Sequence, residues 1–341
     1  MKKHILSFLT LIVLASVLAA CSTGSASNSD ELIMVWYPNE SGNDLKAARD
    51  AIGEVVEEVT GKKVDHKLTT DYAVAIETIA NGNAQLAFMG VQGYIEASNK
   101  NDKIKPLVVP SGASGTIDDA VYYSWLAVKK ADAENYKVDG EYSIDDIVDS
   151  NFSFVSSSST SGFKVPSSDI VSYFATKDQW KDLTAEDLME GGTFFKDVLY
   201  GDSHQGSAVN LLNGRADVAA FCDTCIGNYV EVAEGEANTK GAIYRVKDDA
   251  AEPFNNLYGE EFTLINVTPV LNAPFVANTE ILSEEDFKKI QELLISDEIA
   301  NNDSIFVPAD SEVSGLFSKK ADERFVSVDD AWFNPIRELS N

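Results

Sequence analysis

Ser156-Ser157-Ser158-Ser159-Thr160-Ser161-Gly162 is a run of hydroxyl side chains closed by a glycine. On composition alone it also reads as a serine-rich linker. Its neighbours argue for more. Phe152-Ser153-Phe154-Val155 before it has strand character, and Pro166 after it suits the first turn of a helix. A strand, then hydroxyls, then a helix puts Ser and Thr oxygens beside the unpaired amides of a helix start, of which there are roughly four. That arrangement binds phosphate, phosphonate or carboxylate. The G-x-x-x-x-G-K-[ST] loop of nucleotide hydrolysis does not occur.

Other residues could join such a site. His204, in Gly201-Asp202-Ser203-His204-Gln205-Gly206, falls on a loop before a helix beginning at Ala208. It could donate to an anion oxygen or simply cap that helix. Asp223 follows the apolar strand Asp217 to Phe221. An ionised carboxylate only accepts hydrogen bonds, so beside an anion it requires a protonated oxygen or a cationic group on the ligand. It could also cap the segment from Cys225. Tyr72 opens a helix and Tyr122 a strand, and either could be plain core. Trp36 and Tyr37, at the end of the first strand, could line the same cleft. Cys222-Asp-Thr-Cys225 suggests a redox pair, half a metal site, a local disulfide, or two small buried side chains. There is no second C-x-x-C, and the histidines (His4, His66, His204) stand apart in sequence, so a closed zinc site has little support. A secreted hydrolase using a serine with His204 and Asp223 would lack the G-x-S-x-G elbow. The reading is of binding without catalytic residues, metal or cofactor.

Strands alternate with helices along the chain, which implies βαβ units and mostly parallel sheets. Strands are expected at 34–37, 64–69, 84–89 and 107–109, with helices at 45–59 (ended by Gly61), 71–80 and 91–98. A long apolar strand, 122–128, follows. The pattern then restarts: helix 144–148, strand 152–155, helix 166–175, helix 208–212, strand 217–221, helix 226–232 and strand 243–246. A second long apolar crossing covers 262–275, and Ser283 with Asp286 opens the last clear helix. The simplest architecture is two α/β lobes joined by two crossing strands, with the ligand cleft between them. Lobe 1 takes residues 31–121 plus 269–341, and lobe 2 takes 122–268. Ligands of open α/β sheets sit at the carboxyl ends of strands.

The chain has 341 residues, and its first 30 are of another kind. Met1-Lys2-Lys3-His4 is basic, Ile5 to Leu18 is almost wholly apolar, and Leu18-Ala19-Ala20-Cys21 closes the run. This is a secretory signal, residues 1–20, too short to span a bilayer, which takes about 20 apolar residues. A cysteine after the small residues marks a bacterial lipoprotein, with lipid on Cys21. Residues 21–30 are small and polar, a flexible tether. The protein is therefore expected outside the cytoplasm, anchored to the membrane. The net charge of −28 becomes more negative when Lys2 and Lys3 are cleaved away. Such a surface repels nucleic acid. It does not exclude an anionic ligand, because hydroxyls and amides in a cleft need no basic side chain.

Together these residues resemble the phosphonate/phosphite/phosphate substrate-binding proteins of ABC transporters, the periplasmic phosphonate-binding family, over about residues 31 to 300. The resemblance rests on Asp71-Tyr72-Ala73, on Ser159-Thr160-Ser161-Gly162-Phe163, and on the order of residues from His204 to Thr224. It implies a type II periplasmic-binding fold, a monomer, a phosphorus oxyanion ligand and a permease partner. It implies that Ser159, Thr160 and Ser161 hold ligand oxygens, with Tyr72, Tyr122, His204 and Asp223 around them. A one-residue shift would put Thr224 in the place of Asp223. Relatives that bind aminophosphonates carry another acid where this chain has Asn272-Ala273-Pro274. That departure disfavours an ammonium-bearing ligand and favours phosphite, phosphate or an alkylphosphonate.

The signal leads to one direct test. Cys21→Ala should release the protein from the membrane or leave its signal uncut, read by fractionation and mass. A Cys21→Ala protein that matures and stays membrane-bound would contradict lipid anchoring.

Overall fold

Val35 and Tyr37 face one apolar core while Leu32, Met34 and Trp36 face another. This period-two split marks β1 (Glu31–Trp36) as a strand buried on both sides. The computed structural model describes residues 30–309, 311 and 313–339. The signal segment, Cys21 and the tether to Ser29 lie outside the described residues.

The first half follows the expected alternation. α1 (Lys46–Thr60) stops at Gly61, whose φ of 70° makes the left-handed cap. β2 (Lys63–Leu68) and α2 (Tyr72–Ala80) come next. Asp71 caps α2 by accepting from the amides of Ala73 at 2.6 Å and Val74 at 3.2 Å. β3 (Leu86–Phe88), α3 (Val91–Lys100) and β4 (Ile104–Pro110) complete it. β5 (Val121–Lys129) then crosses into the second half, and a small hairpin of β6 (Lys137–Val138) and β7 (Glu141–Tyr142) follows.

The second half is built on β8 (Asn151–Phe154), β9 (Asp197–Tyr200) and β10 (Val218–Cys222), with α4 (Val165–Phe174), α5 (His204–Leu212) and α6 (Asp223–Ile226) between and after them. β11 (Val230–Glu234), β12 (Ile243–Val246) and β13 (Glu261–Leu271) extend its sheet. β14 (Phe275–Asn278) and α7 (Glu284–Leu294), capped by the Ser283 hydroxyl at the amide of Asp286, return to the first half. There α8 (Asp297–Ala300), β15 (Phe306–Pro308), β16 (Phe317–Lys319), β17 (Phe325–Val326) and α9 (Asn334–Glu338) end the chain.

Two large sheets result. One has the order β17-β4-β14-β3-β1-β2, the other β11-β12-β13-β5-β10-β8-β9. The two share a scheme. In the first, β2, β1 and β3 are parallel, and antiparallel β14 follows β3. In the second, β9, β8 and β10 are parallel, and antiparallel β5 follows β10. Each half thus takes an antiparallel strand from the segment that links it to the other. Behind β8, Phe152 packs between Phe154 and Phe195, each with ring centroids 4.4 Å away. Full burial of such a ring is worth roughly 1.5–3 kcal/mol, and it holds the strand that aims the hydroxyl run.

Several expectations need correction. The segment 226–232 is not one helix. α6 ends at Ile226, and Val230 and Val232 pair with Val246 and Tyr244 in an antiparallel ladder. The apolar spacing there suited either period, and β-branched side chains favour the strand. The crossing at 262–275 is two strands in two sheets, broken at Asn272-Ala273-Pro274. The helix expected at 208 begins at His204, because Ser203 is its cap and accepts from the Gly206 amide at 2.9 Å. The helix expected at Pro166 is preceded by a wide turn, Thr160–Lys164.

Candidate functional site

The hydroxyl run leaves β8 and enters that wide turn. The Lys164 amide donates to the carbonyl of Ser159 at 3.0 Å, a π-type spacing that often marks functional positions. Ser159 is the cap, and its hydroxyl accepts from Gly162 N at 3.1 Å. The amides of Thr160 and Ser161, first in the turn, have no intrahelical acceptor. Ser124 on β5 donates to the Ser161 carbonyl at 2.7 Å and fixes the turn against the sheet.

A cavity of about 340 Å³ lies where this turn meets the first half. Ser159, Thr160, Ser161, Tyr72, Tyr122, His204 and Asp223 all line it, so the structure brings every expected site residue to one place. A second helix start joins them from across the cleft. Gln92 N, at the beginning of α3, donates to Thr160 Oγ1 at 2.9 Å. Gly90 permits that approach, since a Cβ there would stand 2.7 Å from the same oxygen.

His204 has a defined hydrogen. Its Nδ1 accepts from the Cys222 amide at 3.0 Å, which leaves the proton of the neutral ring on Nε2. Nε2 stands 3.4 Å from Ser159 Oγ. Burial pulls the imidazole down to about 3, so the ring is a neutral donor. Asp223 starts α6, and its Oδ1 accepts from Tyr123 N at 2.9 Å and its Oδ2 from Asn238 Nδ2 at 3.2 Å. Burial pushes this carboxyl up to about 6, against the pull of those donors. Above that pH it is a fixed acceptor. Tyr72 and Tyr122 are both shifted upward by burial and stay neutral. Tyr72 accepts from Asn39 Nδ2 at 2.6 Å, and its hydroxyl also lies beside that of Ser159.

Three lining side chains end in buried polar atoms with no partner among the described residues: Ser161 Oγ, Tyr37 OH and Glu40 Oε2. The one lysine on the cavity wall among the described residues is Lys320, exposed at the rim beside Glu323. Donors from side chains and amides therefore dominate the interior.

A serine-hydrolase relay is not assembled. The orienting partner of His204 is a backbone amide and not Asp223, and a ring already protonated on Nε2 cannot take a proton from Ser159. Cys222 and Cys225 are joined as a disulfide. With His204 they bring ligand atoms within 4.8 Å of one another, but the bonded sulfurs are not thiolate ligands. Trp36 faces the opposite core, where its Nε1 donates to His66 Nδ1 at 3.0 Å, while Tyr37 lines the cavity. Thr224 lines it beside Asp223. Asn272 also does, with its amide group committed to the Pro110 carbonyl at 2.7 Å.

The reading from sequence missed Asn39 and Asn238, and offered Glu40 only as an acid that could pair with a ligand ammonium. Asn39 joins the halves: beyond its bond to Tyr72, its Oδ1 accepts from His204 N at 3.0 Å and its carbonyl from Gln205 Nε2 at 3.1 Å. Its only signal was a place in the loop after the first strand.

Fold and cavity together define a two-lobed α/β binding protein of the type II periplasmic kind. The chain belongs to the phosphonate-binding family: residues 34–333 match the family described as ABC transporter, phosphonate, periplasmic substrate-binding protein. It is 27% identical over 206 residues to the phosphate-import protein PhnD of Mycolicibacterium smegmatis, covering 60% of this chain and 59% of that one, so the match spans little more than half of that relative. Two solved structures share the fold. The binding protein component of an ABC phosphonate transporter from Pseudomonas aeruginosa has a TM-score of 0.62 at 19% identity, covering 92% of this chain and 86% of that one. PhnD1 from Prochlorococcus marinus, in complex with methylphosphonate, has a TM-score of 0.61 at 15% identity, covering 92% and 97%.

The hydrogen-bond pattern at His204 makes a checkable statement. The ring should stay neutral, with its hydrogen on Nε2, from about pH 8 down to about pH 5, as read by nitrogen-resolved NMR. Because the folded value is depressed, the stability it contributes is present above the ordinary 6.5 and lost as pH falls toward about 3. A His204 ring that titrates near 6.5 in the folded protein would refute this assignment.

Proposed function

We propose that this chain is the lipid-anchored, extracytoplasmic solute-binding component of an ABC importer. It captures a small phosphorus oxyanion (phosphite, phosphate or an alkylphosphonate) and delivers it to the permease without covalent chemistry. Residues 31–121 with 269–341 act as one lobe and 122–268 as the other, and they close by a hinge. Cys21 carries the lipid.

Family membership supports the transport role, and the phosphate and methylphosphonate of the relatives support the ligand class. The observation that carries the reading is Ser161. The residue is 1% exposed, it lines the cavity at the start of the turn before α4, and its hydroxyl makes no close hydrogen bond, with only the Tyr122 hydroxyl near it. A buried hydroxyl left unpaired costs about 1–3 kcal/mol, and an oxyanion at the helix start supplies the missing acceptor. Thr160, already an acceptor for Gln92 N, keeps its own hydrogen for the ligand. His204 Nε2–H and the two tyrosines add donors. A cavity of about 340 Å³ sits at the small end of ligand sites, which run from about 300 to 1,000 Å³.

Ser161→Ala removes one hydrogen bond to a charged ligand and costs the protein only a weak contact with the Tyr122 hydroxyl. Such bonds are worth roughly 1.5–3 kcal/mol, so calorimetry should show binding weakened about ten- to a hundredfold. An unchanged Kd for every phosphorus oxyanion in a screen that includes sulfate would sink the assignment.

Asp223 gives a second test. As an ionised acceptor it favours a ligand with a P–OH group, so sulfate should bind far worse than phosphate at pH 7. Asp223→Asn should narrow that gap, and so should acid, because protonation below about 6 turns the carboxyl into a donor. Equal binding of sulfate and phosphate by the native protein at pH 7 would contradict it.

A further inference from the structure

Glu40 is the acid of the site that neither the sequence motif nor the ligand class accounts for. It ends the short turn Pro38–Glu40 after β1 and lines the same cavity as Ser161 and Asp223. Its Oε2 is fully buried and has no hydrogen-bond partner among the described residues. The nearest cation does not serve that oxygen. Arg49, on α1, spends its guanidinium on the backbone carbonyls of Glu40 and Gly42.

The groups around Glu40 come from every neighbouring element. Arg49 lies on α1, Tyr37 follows β1, Tyr72 is on α2, Tyr122 is on β5 and Tyr229 follows α6. All four tyrosines are pushed upward by burial. Tyr229 also donates to Asp44 at 2.6 Å. The side chain beside it, Asn39, is shared: it bonds Tyr72 and His204 and also reaches the other side of the Glu40 carboxyl, leaving Oε2 unpaired. An ionised Glu40 could draw on its own amide, on Asn39 and on the field of Arg49, but its burial outweighs all three. Desolvation is what opposes that state.

We propose that Glu40 works as a neutral carboxylic acid whose hydrogen is given to an unprotonated oxygen of the ligand, opposite the acceptor Asp223. The inference rests on the proposed oxyanion function and sharpens it. Asp223 accepts from a P–OH, Glu40 donates to a P–O⁻, and the pair together read a singly protonated oxyanion. Burial pushes the Glu40 carboxyl up to about 8 and Asp223 only to about 6. Between those values one is an acid and the other a base, the division of roles that unequal environments give to two carboxyls.

The test compares the native protein with Glu40→Gln, whose amide keeps a donor but cannot ionise. Phosphite, phosphate and methylphosphonate are titrated by calorimetry from about pH 6.5 to about pH 9.5. Titration of the ligand itself cancels in the ratio of the two Kd values. That ratio should be level below about pH 8 and then turn against the native protein by up to tenfold per pH unit. A ratio that stays level to about pH 9.5 overturns the role of Glu40. If none of the three ligands binds at pH 7, the proposed function falls and this inference falls with it. Should Glu40→Gln not fold, infrared spectroscopy of the native protein decides. A protonated-carboxyl band present at pH 7 and lost in step with affinity supports the proposal, and no such band at pH 7 refutes it.

Discussion

Asn39 makes three hydrogen bonds within 3.1 Å, and the walls of the cavity depend on them. Its amide group reaches Tyr72 on one side and the first amide of α5 on the other, while its carbonyl takes the Gln205 side chain. Two of these bonds cross from the first sheet's half to the second's. Ser158 adds another crossing at Glu96, 2.8 Å away, and Thr160 another at Gln92. Hydroxyls on one lobe and a helix start on the other face a common space only while these bonds hold. Each bond is modest, about 0.5–1.5 kcal/mol net. A few such bonds would suit the hinge closure proposed above.

Within that space the electrostatics run against the surface. The chain carries −28 overall, yet the cavity presents donors. It obtains them from helix starts, hydroxyls and a histidine whose tautomer is set by a backbone amide. Because His204 is held neutral, the donor count does not change as pH varies about neutrality. The disulfide keeps the four-residue turn that carries Asp223 and Thr224 closed at its base, next to the amide that orients His204. Asp223, its donors and the imidazole are therefore parts of one local structure.

Residue types that are unusual for their context could be read from the sequence. Four serines, a threonine, another serine and a glycine between a strand and a proline-started helix are hard to explain as core. A histidine before a helix and an acid after a buried strand sit where α/β sheets place ligands. Asn39 and Asn238 were not legible, because asparagine in a turn is ordinary; Asn39 meets His204 165 residues away, and Asn238 is held by Trp125 Nε1, 113 residues away, while it donates to Asp223. The wide turn at Thr160 uses the same residues as a regular helix, so nothing in its composition distinguishes it. Segment 226–232 was misread because a short helix running into a strand leaves apolar residues at both spacings. The C-terminal pieces β15, β16 and β17 are two or three residues long. Their pairing is decided by Phe306, Phe317 and Phe325 packing on Phe275, and not by local periodicity.

The same reasoning explains why a site of this kind carries acids at all. A tetrahedral oxyanion surrounded only by donors would be bound whatever its protonation, and sulfate would compete with phosphate on charge alone. One fixed acceptor changes the criterion. An oxygen facing Asp223 must bring a hydrogen, and a ligand without one meets two lone pairs with nothing between them. The cost of that encounter is that of a buried unpaired charge, larger than a typical hydrogen bond gains. Selection by the position of a hydrogen therefore outweighs selection by charge. It also needs no basic side chain in the interior, which is consistent with a strongly acidic chain enclosing the anion cavity proposed above.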